Sequence, residues 1–228
     1  NYGGDGMGLG AAEGGTRGSY GGAFSVLVSA SAVTWGRLLI GLIGGAALGI
    51  VLAVAVSWSK WLARFLELPS NLLRMLPALA LIPLFQLWFG ISFKGVVIFM
   101  VYTNGIVFFV GMLNAIRNVP PIYLHNAKAL GASKLRTYGT VVLPAILPEL
   151  RSTVFFSLGW SWSAVVGAEF LGVQSGLGYI ESQANQFALL DRMFVVAVLF
   201  LILASVSFLV FNLICRPLLT WAPDGGRG

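Results

Sequence analysis

Of the chain's 228 residues, 57% are apolar (Ala, Val, Ile, Leu, Met, Phe, Trp, Tyr, Cys) and 10% are charged, where soluble domains run at roughly 45–50% and about 25%. A membrane crossing needs about 20 mostly apolar residues, so this length holds about five or six spans with short loops and excludes a separate extramembrane catalytic domain. The net charge of +6 would suggest nucleic acid as partner of a soluble protein; in a membrane chain it marks cytoplasmic loops instead.

Residues 1–22 contain ten glycines and few large apolar side chains, a composition that cannot bury enough surface to offset its ordering entropy, and they read as a flexible tail. They lack the basic start, apolar centre and small-residue cleavage site of a signal peptide. The first clear span is expected over about Leu38–Ser57, where Gly41, Gly45, Gly49 and Ala53 recur every fourth residue. Such a ladder admits a neighbouring backbone at close range, with a ligand-lining wall as the minor alternative.

A short amphipathic stretch with Lys60, Arg64, Glu67 and Arg74 precedes a second apolar run, about Leu76–Phe89, which holds Pro77 and Pro83. Each proline removes a backbone donor and favours a kink. A third span is expected over about Gly95–Ala115, a fourth over Thr153–Leu171 and a fifth over Met193–Ile214, with a glycine-containing loop at 172–192.

Segments 58–74, 116–152 and 215–228 hold ten of the fourteen basic residues, and Arg17, Arg37, Lys94 and Arg192 fall on the other side. This asymmetry puts the first group in the cytoplasm. The chain then starts outside, so either the tail is translocated or a further span is absent or hidden in Phe24–Val33.

The polar segment 116–152 is much longer than a connection requires. Tyr123–Leu130 reads as a short helix with Ala127 and Leu130 on one face and Lys128 on another, closed by Gly131 as a C-cap. A small-residue helix held on short flanks is a suitable knob for a partner's groove.

His125-Asn126-Ala127-Lys128, then Gly131-Ala132-Ser133, nine residues from Gly131 to Val141, and Leu143-Pro144 resemble the loop signature of the membrane subunits of binding-protein-dependent ABC importers. That signature is Glu-Ala-Ala, three residues, Gly, nine residues, Ile-x-Leu-Pro. His125 stands at the Glu position and Asn126 at the first Ala. Arg74-Met75-Leu76-Pro77, Ala80, Pro83-Leu84, Trp88-Phe89-Gly90 and Gly176-Leu177-Gly178-Tyr179 are similar to the subgroup that imports nitrate, sulfonate, taurine and bicarbonate.

The resemblance implies an all-α integral membrane protein of the bacterial cytoplasmic (inner) membrane. It would be a type I ABC importer permease-like bundle of five clear transmembrane helices, six in the family, with a cytoplasmic coupling helix. The expected layout is a tail at 1–22, a permease domain at 23–221 with its coupling loop at 116–152, and a C-terminal tail at 222–228. It further implies a homodimer, two cytoplasmic ATPase subunits that carry the ATP and Mg, an external solute-binding protein and a small, anionic solute. ATPase coupling would rest on His125, Asn126, Ala127, Lys128, Gly131, Ala132, Ser133, Leu143 and Pro144.

Pathway candidates come from the fourth span. Ser157 and Ser161 stand one turn apart, as do Gly159, Ser163 and Gly167, and these stripes serve either helix packing or a cavity wall. Glu169 is the one carboxylate close to a span's interior, where an ionisable group is costly, and a water-accessible outer mouth is the equal alternative. Trp160 and Trp162 lie about 200° apart, so one at most faces any cavity. Asn104, Asn114 and Gln86 can bond across helices.

One cysteine, Cys215, and one histidine, His125, leave no internal disulfide and no ligand set for a metal centre. No phosphate-cradling G-x-x-x-x-G-K-[ST] loop is present, so ATP hydrolysis belongs to another subunit and the chain is not an enzyme. An ion-coupled secondary transporter is the competing reading, but it needs intramembrane charges or paired broken helices in repeated halves.

Overall fold

The computed structural model describes residues 17–73 and 75–218. These fold into α1 (Arg17–Trp58), α2 (Lys60–Leu73), α3 (Ala78–Phe89), α4 (Phe93–Asn118), α5 (Pro121–Ala129) and α6 (Lys134–Thr137), followed by a π-helical turn (Tyr138–Val142), α7 (Leu143–Phe170), α8 (Leu177–Gln186) and α9 (Leu190–Leu218). Four helical stretches, Gly21–Trp58, Phe93–Asn118, Lys134–Phe170 and Leu190–Arg216, are long and apolar enough to cross a membrane, and the bent pair α2–α3 offers a fifth.

The glycine ladder sets the central contact. A Cβ on Gly45 would lie 2.5 Å from Asn104 Cβ, one on Gly49 would lie 2.5 Å from Gly105 O, and one on Gly41 would strike Met100 Cβ. Hydrogen atoms at these positions let α1 and α4 run side by side in the same direction at backbone contact. α7 returns against α4, with Gly111 seated on Thr153, and α9 runs back down α7, where Phe155 stacks on Phe208 at 4.8 Å.

Two apolar cores result. At the end where α7 leads to α8, Leu38, Ile82, Phe85, Phe99, Met100, Leu158, Trp162 and Val165 join α1, α3, α4 and α7. At the opposite end, beside the π-helical turn, Ala53, Val56, Phe109, Met112, Val119, Val142 and Ile146 join α1, α4 and the start of α7.

Several expectations change. α1 is one helix of 42 residues, about 63 Å long at 1.5 Å per residue; Phe24–Val33 belongs to it and forms no separate span, and residues 17–22 of the expected tail are helical. The remaining tail residues, 1–16, lie outside the described residues, as do Arg74 and the C-terminal tail 222–228. The second expected span is a helix of 12 residues, about 18 Å, too short for a crossing alone. Pro77 and Gly90 bound it, and it meets α2 at 105°. The expected loop 172–192 contains α8, which starts after Gly176 at φ +99.

Candidate functional site

The segment after α4 is built from local signals. Val119 is held extended at φ −62, ψ 121 by the following proline, which ends α4. Pro121 then opens α5 at its first turn, where a missing N–H costs nothing. α5 closes with a Schellman turn: Gly131 N–H donates to Lys128 O at 2.9 Å and Ala132 N–H donates to Ala127 O at 3.0 Å, with Gly131 at φ +71. A Cβ on Gly131 would meet nothing within 4 Å, so glycine is required there by conformation alone.

Ser133 restarts the chain as an N-cap, its Oγ accepting from Arg136 N–H at 3.4 Å. From Lys134 to Phe170 the backbone is one unbroken helical rod. Pro144 lacks a donor and its ring would press on the carbonyl four residues earlier, and the rod widens just before it into the π-helical turn, with Leu143 N–H reaching Tyr138 O. That turn aims Tyr138 at the end of α1: its hydroxyl donates to Ser57 Oγ at 3.0 Å and its ring meets Trp58 edge-on at 5.5 Å.

Ala127 is buried, whereas His125, Asn126, Lys128 and Gly131 are exposed and Leu130 is 87% exposed. The expected shared face of Ala127 and Leu130 is therefore not formed, because α5 ends at Ala129 and Leu130 turns outward as the cap residue. Ala127 is turned inward and Leu124 packs on the core around Ala53, Phe109 and Val142, and the outer surface is left to the polar residues and Leu130.

Within the spans, several buried polar side chains bond to one another. Asn104 Oδ1 accepts from Ser157 Oγ at 2.6 Å and Ser161 Oγ at 2.8 Å, while Asn104 Nδ2 donates to Met100 O at 2.9 Å. Near the α7–α8 connection Arg37 Nη1 donates to Glu169 Oε1 at 2.7 Å and to Ser175 O at 2.8 Å, and Arg37 Nη2 donates to Ser175 Oγ at 2.6 Å. Thr34 Oγ1 donates to Glu169 Oε2 at 2.8 Å and accepts from Leu177 N–H at 2.9 Å. Gly178 N–H donates to Glu169 Oε2 at 3.1 Å. The carboxylate thus faces the N-terminus of α8, where exposed amides and the helix dipole favour negative charge.

The chain matches, over residues 45–219, the family described as the binding-protein-dependent transport system inner membrane component. It belongs to that family. It is 33% identical to the putative aliphatic sulfonates transport permease protein SsuC of Escherichia coli (strain K12), over 84% of this chain and 73% of that protein. It is 28% identical to the taurine transport system permease protein TauC of the same strain, over 76% of this chain and 62% of that protein. Its fold superposes on a chain of the MetNI methionine ABC transporter, in an inward-facing conformation, with TM-score 0.68 at 20% identity, covering 89% of this chain and 99% of that one. The protein is a multi-pass inner-membrane permease of the sulfonate/taurine subgroup of ABC importers, with the type I importer fold, and is a transport subunit rather than an enzyme.

Of the pathway candidates, the permease turns Ser157, Ser161 and Glu169 entirely inward, each 0% exposed. Ser163 and Trp160 lie on the open face of α7, while Trp162 is buried with its Nε1 donating to Ser207 Oγ at 3.2 Å. Asn114 is exposed. Among the described residues, Gln86 Nε2 is buried without a hydrogen-bond partner beside Gly172. Sequence reasoning missed Thr34, Arg37, Ser175 and Tyr138 as members of these sites. A basic and an acidic residue at the outer ends of two apolar spans is the signal that could have paired Arg37 with Glu169.

Proposed function

We propose that this permease carries a small anionic solute of the sulfonate or taurine class through a pathway between two copies of the chain, driven by two cytoplasmic ATPase subunits and fed by an external binding protein. Support for the solute class is the likeness to permeases named for aliphatic sulfonates and taurine. The observation that carries the coupling half is the unbroken rod from Lys134 to Phe170, with α5 capped onto its start by the Gly131 turn.

ATP-driven closure moves spans only through a stiff contact that differs between the two conformations. In this reading the ATPase grips the exposed rim of α5, namely His125, Asn126, Lys128, Leu130 and Gly131 with Ala132 and Ser133 behind them. Leu124 seats the helix on the core with Ala127 turned inward, and Leu143-Pro144 pass the displacement along α7. Ser163 and Trp160 then face the pathway on the open side of the same rod.

The test is uptake of radiolabelled taurine or an alkanesulfonate into vesicles holding the permease, its ATPase and the binding protein. Uptake that requires ATP and all three components is expected. Uptake without ATP or without the ATPase overturns the proposal.

A further inference from the structure

We infer that the permease selects its solute by the organic group: Phe156, Trp160 and Ser163 form an uncharged wall that accepts an alkyl- or aminoalkylsulfonate and turns away inorganic oxyanions. The inference rests on the proposed pathway along the open side of α7. Arg151 and Glu169 are the nearest ionisable residues on that helix, nine positions to either side of Trp160, so about 14 Å of helix separates the indole from each charge. Arg151 reaches Asn212 of α9 at 3.4 Å, and Glu169 is held by Arg37 with both side chains buried. The stretch between them therefore meets a solute with no charge of its own.

The flanks of α7 are taken by other helices. Ser157 and Ser161 bond to Asn104 of α4, Phe155 and Trp162 meet Phe208 and Ser207 of α9, and Gly167 lies under Leu79 of α3. Between these contacts Ser152, Phe156, Trp160 and Ser163 share about 80° of the helix circumference. All four are exposed, Phe156 by 62% and Trp160 by 37%. Tryptophan in a span belongs at the headgroup level, yet Trp160 stands midway. Among the described residues neither its N–H nor the Ser163 hydroxyl has a hydrogen-bond partner. By contrast Ser205, exposed on α9, donates to Leu201 O at 2.7 Å, which is how a hydroxyl is satisfied against lipid. Two unpaired donors at mid-span mark a face that meets a polar solute. The donors suit sulfonate oxygens, and the two rings, one turn apart, suit the carbon chain; an ammonium at its far end also lies well on an indole face. An inorganic oxyanion would leave water for the same few neutral donors with nothing to set against the rings.

The test follows Trp160 fluorescence, taken as the difference between the full chain and a Trp160→Phe variant, in nanodiscs that hold the permease with its ATPase and no binding protein. Hexanesulfonate is expected to shift that emission at a concentration about tenfold or more below methanesulfonate, because its longer chain buries more apolar surface. Sulfate should have no effect. Phe156→Ala should bring the ratio between the two sulfonates to about threefold or less, whereas Ser163→Ala should raise the half-saturating concentration of both by the same factor. Both variants change exposed side chains and are expected to fold as the wild type does. Three results overturn the inference: sulfate acting as strongly as hexanesulfonate; a ratio near one in the wild type or unmoved by Phe156→Ala; or a Trp160 signal that answers to no sulfonate, which puts lipid against the stripe if brominated acyl chains quench it and a second copy if they do not. Each of these is compatible with intact ATP-dependent uptake, whose absence is the separate failure of the proposed function.

Discussion

Arg37 and Glu169, on α1 and α7, meet at 2.7 Å with side chains 1% and 0% exposed. The pair closes a ring of bonds that ties α1, α7, the 171–176 connection and α8 together at the outer end of the permease. The Arg37 guanidinium also sits 5.2 Å over the Phe93 ring, which adds α4 to the same node. Removing one partner of such a pair strands the other charge in an apolar interior and costs about 3–5 kcal/mol. Arg37→Met or Glu169→Leu alone should therefore lower the unfolding midpoint of the detergent-solubilised permease sharply. The double variant should regain much of the loss but not all, because Gly178 N–H loses its acceptor. A double variant as unstable as the worse single one contradicts this account.

The existence of the long apolar helices α1, α4, α7 and α9 and of the short helix before Gly131 was readable from hydropathy and capping, because those signals are local, whereas the start of α1 and the break between α2 and α3 were not. Gly131 was read as a C-cap from its place after a short helix, and the structure puts it at φ +71. The glycine ladder announced a close neighbour without naming it. Partner identity depends on how each helix is rotated, and the 3.6-residue period of one helix carries no information about the rotation of the next. Hence Glu169 read as either an intramembrane carboxylate or one at the outer mouth, and Arg37 only as an outer charge, although the two are bonded to each other. α8 was hidden because glycines at 172, 176 and 178 imitate a loop; its first turn is held by Thr34 of α1 and Glu169 of α7, both outside the segment itself.

The ladder makes a steric prediction. Gly45→Ala places a methyl 2.5 Å from Asn104 Cβ and 2.8 Å from Gly105 N, against backbone that has no room to give. Overpacking of this kind costs about 1–3 kcal/mol, so a thermal-unfolding series should rank Gly45→Ala and Gly49→Ala well below the wild type. Gly36→Ala is the control: its Cβ meets nothing within 4 Å, and exchanging Gly for Ala inside a helix stabilises by about 0.5–1 kcal/mol.

Tyr138 separates a hydrogen bond from a ring contact. Tyr138→Phe removes the hydroxyl's 3.0 Å bond to Ser57 but keeps the edge-on packing against Trp58, and a loss of about 0.5–1.5 kcal/mol is expected. Tyr138→Ala removes both and loosens the rod from the end of α1. If the π-helical turn transmits motion, the alanine variant should show a larger fall in uptake per ATP hydrolysed than the phenylalanine variant, measured with the ATPase present.

Residues on the two sides of α5 should fail in different ways. Leu130 is 87% exposed, so Leu130→Ser should move the stability of the isolated permease by no more than about 0.5 kcal/mol. If the ATPase covers it, the same change should weaken association of the two subunits by more than about fivefold, the size expected of an apolar anchor worth over 1 kcal/mol. Ala127 is buried, and Ala127→Asp puts a charge into that site, which should lower stability and coupling together. Gly131→Ala keeps the surface but forces a Cβ into the left-handed region, at a cost of about 1–2 kcal/mol. Titrating each variant permease with the ATPase, alongside unfolding of the permease alone, distinguishes the three. Unchanged association in Leu130→Ser would remove the outer rim of α5 from the interface and with it the proposed grip.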